Sequence, residues 1–134
     1  MNLLLDTHIL LWWLADEPRL GQSIRESIVN PSTRVMISAA SVWEIGIKQA
    51  LGKLKVPESI LPVIQDEGFE ELPITGQHAE LAARLPNHHR DPFDRMLIAQ
   101  AVLEGLMLVT NDKRIESYDL INYNYNKVAK AFLM

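Results

Sequence analysis

Short apolar runs alternate with helical patterns along this chain, and this alternation is what most constrains its fold. The runs are too short for buried helices and are rich in leucine, valine and isoleucine, as buried strands are. They span residues 3–5, 34–38 and 106–110, and two less regular segments, 69–72 and 120–123, are further candidates for strands. Parallel strands need crossover connections and are buried on both faces. We therefore expect an α/β fold, a three-layer α/β/α sandwich around a central, mainly parallel sheet of about five strands.

Helical patterns fill the segments between these runs. They cover residues 9–14, 23–29, 39–51, a segment that begins at Pro57, 77–85 and 91–105. The last is the clearest, because Asp91 is a favoured N-cap, Pro92 suits the first helical position and Gly105 follows the end. No internal repeat or linker-like run divides the chain. Residues 1–134 are therefore expected to form a single domain.

Composition excludes several classes of protein. The sequence is 48% hydrophobic and has no apolar stretch long enough to span a membrane, so we expect a cytoplasmic protein with a sizeable core. It has no cysteine, which excludes disulfides and thiolate metal sites. The net charge of −4 argues against a broadly basic surface. Binding of nucleic acid would then require a local basic patch or a bound cation.

Four acidic residues are expected to meet at one edge of the sheet. Asp6 ends the first strand, Glu44 lies on the helix after the second, Asp94 lies in the first turn of the clearest helix, and Asp112 follows the fourth strand. The carboxyl ends of parallel strands share one edge, where ligands usually bind. Carboxylates brought together repel each other unless a cation neutralises them. The pattern therefore predicts a site for Mg²⁺ or Mn²⁺, which prefer oxygen ligands.

Each of these acids also has an ordinary structural use. Asp6, Asp91 and Asp112 stand where helices are expected to begin, and a carboxylate there accepts hydrogen bonds from unpaired backbone N–H groups. Asp94 fits this alternative least, because Asp91 already accounts for the start of its helix. Taken one at a time, the others are better explained as caps than as metal ligands.

Glu44 is ambiguous for two reasons. Together with Ser41 it matches the Ser-x-x-Glu pattern of a capping box. If its helix begins near Ala39, Glu44 also lies roughly 7 to 8 Å along the axis and must lean back to reach the edge of the sheet.

Four sequence blocks, in order, resemble the PIN domains, and among them the VapC-type ribonuclease toxins of toxin–antitoxin pairs. The blocks are "LLLDTH", "ISAASVWEIGIK", "HHRDPFDRMLIAQA" and "LVTND". The resemblance covers nearly the whole chain, although the ending "INYNYNKVAKAFLM" departs from the usual pattern. It implies a metal-dependent endoribonuclease that acts on RNA, forms a homodimer and is silenced by a small antitoxin protein.

The resemblance also implies roles for particular residues. The catalytic and metal-binding acids map to Asp6, Glu44, Asp94 and Asp112, and their nearby polar support maps to Thr7 and Asn111. Mg²⁺ or Mn²⁺ can supply the activated water and the charge stabilisation that phosphodiester hydrolysis needs, so no histidine base is required. A bound cation would also allow an anionic pocket to attract phosphate.

Several other residues have both a functional and a structural interpretation. Arg95 and Lys48 lie near proposed ligands and are candidates for phosphate contact, although Lys48 has the i, i+4 spacing for an ion pair with Glu44. His8 follows the first acid without a clear role. The remaining candidates are the solvated-loop residues His88, His89 and Arg90, and the tryptophans Trp12, Trp13 and Trp43, which suit a core or a dimer interface better than base stacking.

Two rival functions remain open from the sequence. A Mg²⁺-dependent phosphoryl-transfer domain also places an aspartate after its first strand, but it normally has a second acid close by, where this chain has Thr7 and His8. A catalytically silent domain that only binds a partner protein would keep four acids together at an electrostatic cost. Incubation with acetyl phosphate tests the first rival, and stabilisation by metal tells against the second.

Overall fold

The computed structural model describes residues 2–86 and 91–110 of the chain. Strands and helices alternate along it, as the apolar runs predict. The strands are β1 (Leu3–Leu5), β2 (Val35–Ser38), β3 (Glu70–Leu72) and β4 (Met107–Val109). The helices are α1 (Thr7–Leu14), α2 (Gln22–Val29), α3 (Ala39–Ala50), α4 (Leu61–Asp66), α5 (Gly76–Arg84) and α6 (Pro92–Glu104).

The strands form one sheet in the order β3-β2-β1-β4, and every pair is parallel. Strand β1 lies in the interior of the sheet, with Leu4 in register with Met36 on one side and with Leu108 on the other. The prediction of an α/β fold with a parallel sheet is confirmed. The described residues hold four strands where about five were expected, and the predicted strand at 120–123 lies outside them.

Buried side chains pack on both faces of the sheet because successive residues of a strand point in opposite directions. On one face, Leu3 and Leu5 belong to a core that includes Ile9 of α1 and Ile64 of α4. On the other face, Leu4 belongs to a second core, formed with residues of α6 and β3. The second core contains Leu4, Leu72, Leu97 and Ala101. Helices therefore cover both faces, and β1 is buried between them.

The predicted helix boundaries agree with the structure for α6 but not for α4. Helix α6 begins and ends as predicted, with Asp91 as its N-cap and Gly105 in the left-handed region at φ 65°. Helix α4 begins at Leu61, so the prediction of a helix start at Pro57 is wrong. The side-chain amide of Gln49 donates hydrogen bonds to the carbonyls of Val56 and Pro57, each at 3.3 Å, which satisfies that stretch in a non-helical form.

The helices are short relative to the thickness of a bilayer. Within residues 2–86 and 91–110, every helix is too short or too polar to cross a membrane.

Candidate active site

Asp6 stands where the central strand meets the first helix. Its backbone N–H donates to the carbonyl of Val109 at 3.1 Å, which ties it to the end of β4. Its side chain caps α1, since Oδ1 accepts a hydrogen bond from the N–H of Ile9 at 2.7 Å. The residue is 5% exposed. The structural use of Asp6 as a cap is therefore confirmed, and the same bond fixes the carboxylate at the carboxyl edge of the sheet.

Thr7 connects the starts of two helices. Its hydroxyl donates to Ser41 Oγ at 2.9 Å, and both side chains are buried. The N-cap of α3 is Ser38, whose Oγ accepts from the N–H of Ala40 at 3.0 Å. The predicted capping box of Ser41 and Glu44 is therefore wrong, because the helix begins earlier than such a box requires.

Glu44 lies in the second turn of α3 with only 14% of its side chain exposed. Lys48, one turn further along, places Nζ 3.6 Å from Glu44 Oε2. Helical side chains lean towards the N-terminus of their helix, which brings Glu44 back towards the sheet edge. The predicted i, i+4 pairing is confirmed, and it gives Glu44 a cationic neighbour.

Helix α6 begins at the same edge of the sheet. Asp91 Oδ1 accepts hydrogen bonds from the N–H of Phe93 at 2.8 Å and of Asp94 at 3.4 Å. Pro92 occupies the start of the helix, where its missing N–H has no cost. Asp94 therefore lies in a first turn that already has its cap, as the sequence indicates.

These helix starts enclose an open cleft of about 310 Å³. Its lining residues are Asp6, Thr7, His8, Glu44, Lys48, Asp91 and Asp94. Three of the four predicted acids, from three separate segments, thus lie around one cleft. Carboxylate oxygens dominate its chemistry, and the ammonium group of Lys48 lies beside Glu44.

The cleft includes two residues whose place the sequence did not predict. Asp91 was expected only as a cap, but it lines the cleft as well. His8 is exposed there, and its ring packs edge-on against Trp12 at 5.0 Å between centroids. The "DTH" sequence places His8 one helical residue beyond Thr7, which is the only signal that could have indicated its position.

Arg95 lies elsewhere. Its guanidinium donates to the backbone carbonyls of Ala82, Leu85 and Pro86 at 2.8 to 3.2 Å. These carbonyls come from the end of α5 and the residues after it, so Arg95 satisfies groups that the helix itself leaves unpaired. It is not among the residues that line the cleft.

The tryptophans have different environments. Trp12 and Trp13 are partly buried against the larger core, and Trp13 Nε1 donates to Glu67 Oε2 at 3.1 Å. Trp43 is 65% exposed and meets the ring of Phe93 edge-on at 5.3 Å. A core position is therefore excluded for Trp43.

Some predicted site residues lie outside the described part of the chain. These are His88, His89, Arg90, Asn111 and Asp112. Within residues 2–86 and 91–110, no three acidic or histidine side chains are grouped closely enough to hold a metal ion by themselves. Metal ligation by Asp6, Glu44, Asp94 and Asp112 stays a prediction.

Comparisons with known proteins agree on the fold. The family model of the PIN domain matches residues 3–120. Ribonuclease VapC22 of Mycobacterium tuberculosis (strain ATCC 25618 / H37Rv) is 29% identical over 120 residues, which cover 87% of this chain and 92% of that protein.

A solved structure has the same fold at lower sequence identity. The crystal structure of VapBC2 from Rickettsia felis bound to a DNA fragment from their promoter matches with a TM-score of 0.65 and 18% identity. The match covers 92% of this chain and 96% of that one. Because the family model spans the described sheet, the described helices and the acidic cleft, this chain belongs to the PIN domain family.

Proposed function

We propose that this chain is a metal-dependent endoribonuclease, the toxin of a toxin–antitoxin pair. One observation carries the proposal: Asp6, Glu44 and Asp94, from three distant segments, line a single cleft at the carboxyl edge of a PIN-type sheet. The relative named Ribonuclease VapC22 supports hydrolysis of RNA as the reaction.

The donor set of the cleft suits Mg²⁺ or Mn²⁺. Its acids offer oxygen ligands, and the chain has no cysteine that would favour a softer metal. We propose that Asp6, Glu44, Asp94 and Asp112 hold the ion, the last of them from beyond the described residues. When bound, such an ion supplies a nucleophilic water and positive charge next to the phosphate.

The chain's own residues prepare the cleft for a phosphodiester. The cap bond to Ile9 and the burial of Asp6 hold that carboxylate in one orientation, which lowers the cost of ordering it when substrate binds. Lys48 partly neutralises Glu44 and offers an ammonium to a phosphate oxygen. Thr7 would support the acids through its bond to Ser41, which ties the start of α1 to α3, and Asn111, by resemblance, would support them with hydrogen bonds. Arg95 is not assigned to phosphate contact, in contrast to the expectation from the sequence. Its guanidinium instead bonds the backbone carbonyls at the C-terminal end of α5.

The partners follow from the same resemblance. We propose that a small antitoxin protein silences the enzyme, that two copies of the chain form a homodimer, and that both act on RNA in the cytoplasm. The absence of cysteine suits a reducing compartment.

The rival functions are less well supported. A phosphoryl-transfer domain normally has a second acid close to Asp6 in the sequence, and this chain has Thr7 there, bonded to Ser41. A silent partner-binding domain gives no reason for four acids around one cleft, which bear an electrostatic cost. Failure of the chain to become labelled by acetyl phosphate, together with stabilisation by Mn²⁺, would separate the proposed nuclease from both.

Mapping of RNA ends after a short pulse of expression tests the proposal in cells. We expect new, discrete 5′ ends with the wild-type chain and their loss with Glu44→Gln. Glu26→Gln is the matched control, because Glu26 is an exposed residue of α2 that does not line the cleft. Identical end patterns for the wild type and Glu44→Gln would contradict the proposed site.

A further inference from the structure

An exposed histidine ring stands at the cleft, and the proposed reaction does not use it. His8 is the second residue of α1, it is exposed, and it lines the cleft together with Asp6. Long side chains of a helix lean towards its N-terminus, which directs the His8 ring towards the carboxyl edge of the sheet. A flat ring therefore lies next to the carboxylates of the cleft.

The His8 ring rests against Trp12, one helical turn further along α1. The two ring centroids are 5.0 Å apart and the ring planes cross at 79°, which is the edge-to-face geometry that aromatic pairs favour. Trp12 is partly buried against the larger core, so its indole is a fixed support. The His8 ring is therefore more restricted than a solvated side chain, and ordering it for a ligand costs less free energy.

The indole of Trp12 has a second neighbour on the surface. The guanidinium carbon of Arg19 lies over the indole, 4.8 Å from its centroid, in a cation–π contact. Glu17 holds that guanidinium in place, since its Oε1 accepts a 2.9 Å hydrogen bond from Arg19 Nε. The core, the His8 ring and the guanidinium thus all contact the indole. Among the residues that line the cleft, the exposed ring is that of His8.

We propose that the His8 ring stacks on a nucleobase of single-stranded RNA whose phosphodiester lies in the cleft. Unpaired bases of RNA are commonly held by stacking on aromatic side chains, histidine included. A neutral base meets no repulsion from Asp6, Glu44 and Asp94, whereas a phosphate needs a cation beside them. His8 then selects unpaired over paired RNA, because the bases of a duplex are stacked on their neighbours. It selects base identity only weakly, because every base has a face to stack.

Stacking on His8 rests on the proposed function in taking RNA as the substrate, but it is tested by binding rather than by cleavage. An Asp6→Asn background, in which cleavage is expected to be absent, allows affinity to be measured on intact RNA. A chain that binds RNA through His8 and cuts none would overturn only the nuclease. A chain that cuts RNA and binds it equally well without the His8 ring would overturn only the stacking.

Fluorescence anisotropy with a labelled single-stranded RNA in this background measures the affinity. His8→Ala should raise the Kd about 5- to 150-fold, the effect of removing an aromatic side chain from one stacked base. The slope of log K against log salt should stay unchanged, because no phosphate contact is lost. Gln77→Ala is the matched control, since Gln77 is also exposed and second in its helix but does not line the cleft. Equal Kd values for the two variants, or a smaller salt slope for His8→Ala, would overturn the proposal.

Two further variants separate stacking from the other uses of a histidine. His8→Phe keeps a flat ring and loses both ring nitrogens, whereas His8→Gln keeps hydrogen-bonding groups and loses the ring. We expect His8→Phe to retain most of the affinity and His8→Gln to bind as weakly as His8→Ala. The reverse order would show that His8 contacts RNA through a hydrogen bond, and it would overturn stacking.

RNA that lacks a single base tests the same contact from the side of the ligand. Removal of a base leaves the sugar and the phosphates in place, so a scan along the strand should include a position where the loss weakens binding about as much as His8→Ala does. In the His8→Ala variant the loss at that position should have little further effect, because both changes remove one contact. If every position showed the same loss with and without the His8 ring, stacking on His8 would be wrong.

Discussion

The hydroxyl of Thr7 donates a 2.9 Å hydrogen bond to the hydroxyl of Ser41, and the two residues are 6% and 1% exposed. Thr7 follows Asp6 at the start of α1, and Ser41 lies one turn before Glu44 in α3. This bond therefore couples the two helix starts that carry the first two acids of the cleft. In a site built from separate segments, such a bond sets the distance between side chains that must act together.

Thr7→Val keeps the shape of the side chain but leaves the Ser41 hydroxyl without its donor. We expect the free energy of unfolding to fall by about 1 to 3 kcal/mol, the cost of a buried polar group that loses its partner. Urea denaturation measures this change. The double variant Thr7→Val/Ser41→Ala should cost less than the sum of the single changes, because it removes both halves of the bond.

Ser27→Ala is the control for that experiment. Its hydroxyl donates to a carbonyl one turn earlier in α2, on the exposed surface, and its removal should change stability by less than about 0.5 kcal/mol. If Thr7→Val and Ser27→Ala lowered the free energy of unfolding equally, the bond between α1 and α3 would stabilise the protein no more than a surface hydrogen bond does.

Arg95→Met is expected to lower stability rather than RNA affinity. The guanidinium bonds three carbonyls at the end of α5, and hydrogen bonds from a charged donor contribute about 1.5 to 3 kcal/mol. Arg84→Met is the control, since Arg84 has 75% of its side chain exposed and forms a surface pair with Glu80. If Arg95→Met weakened RNA binding and left the unfolding transition unchanged, the sequence-based assignment to phosphate would be correct after all.

Lys48→Met should weaken RNA binding and reduce its dependence on salt. Each phosphate that a cationic side chain neutralises on a single strand contributes about 0.7 to the slope of log K against log salt, so the slope should fall by about that amount. Fluorescence anisotropy in an Asp6→Asn background, where cleavage is expected to be absent, gives this slope. Lys55→Met is the control, because Lys55 is exposed and does not line the cleft. The same slope for both variants would mean that Lys48 acts only as the partner of Glu44.

Mn²⁺ or Mg²⁺ should raise the melting temperature of the wild type, because an ion that binds only the folded state stabilises it. At about 100 times its Kd the gain is about 2.7 kcal/mol. Asp94→Asn should abolish most of this gain, whereas Asp66→Asn, at an exposed site on α4, should keep it. An equal rise in melting temperature for wild type and Asp94→Asn would remove Asp94 from the metal site.

The fold could be predicted where local signals and burial agree. Leu3–Leu5 form a strand buried on both faces, and the Asp91, Pro92 and Gly105 signals mark both ends of α6. The start of α4 could not be predicted, because Pro57 is an equally good first residue of a helix or of a loop. In the structure, the side-chain amide of Gln49 bonds to the carbonyls of Val56 and Pro57, a contact that the residues around Pro57 do not reveal.

The convergence of Asp6, Glu44 and Asp94 on one cleft was predictable, because the carboxyl ends of parallel strands share one edge of the sheet, whereas Asp112 lies outside the described residues. Asp6 caps α1 and also lines the cleft, so its use as a cap does not exclude the proposed role as a ligand. Arg95 and Trp43 could not be placed from sequence. Which way a helical side chain points depends on the rotation of the helix against its neighbours, which its own sequence does not set.

Cleavage of a single-stranded RNA by the purified wild type and by Asp6→Asn tests most directly whether the chain is a nuclease that uses Asp6 as a metal ligand. Asparagine is as good an N-cap as aspartate, so Asp6→Asn should keep the bond to Ile9 and the fold, as the melting temperature would show. We expect the wild type to cut RNA with Mn²⁺ or Mg²⁺ and to stop when EDTA is added. Asp6→Asn should be at least about 100-fold slower, since even outer partners of metal ligands cost 10- to 100-fold. Cleavage by a folded Asp6→Asn at the wild-type rate, or wild-type cleavage that EDTA leaves unchanged, would contradict a metal site built on Asp6.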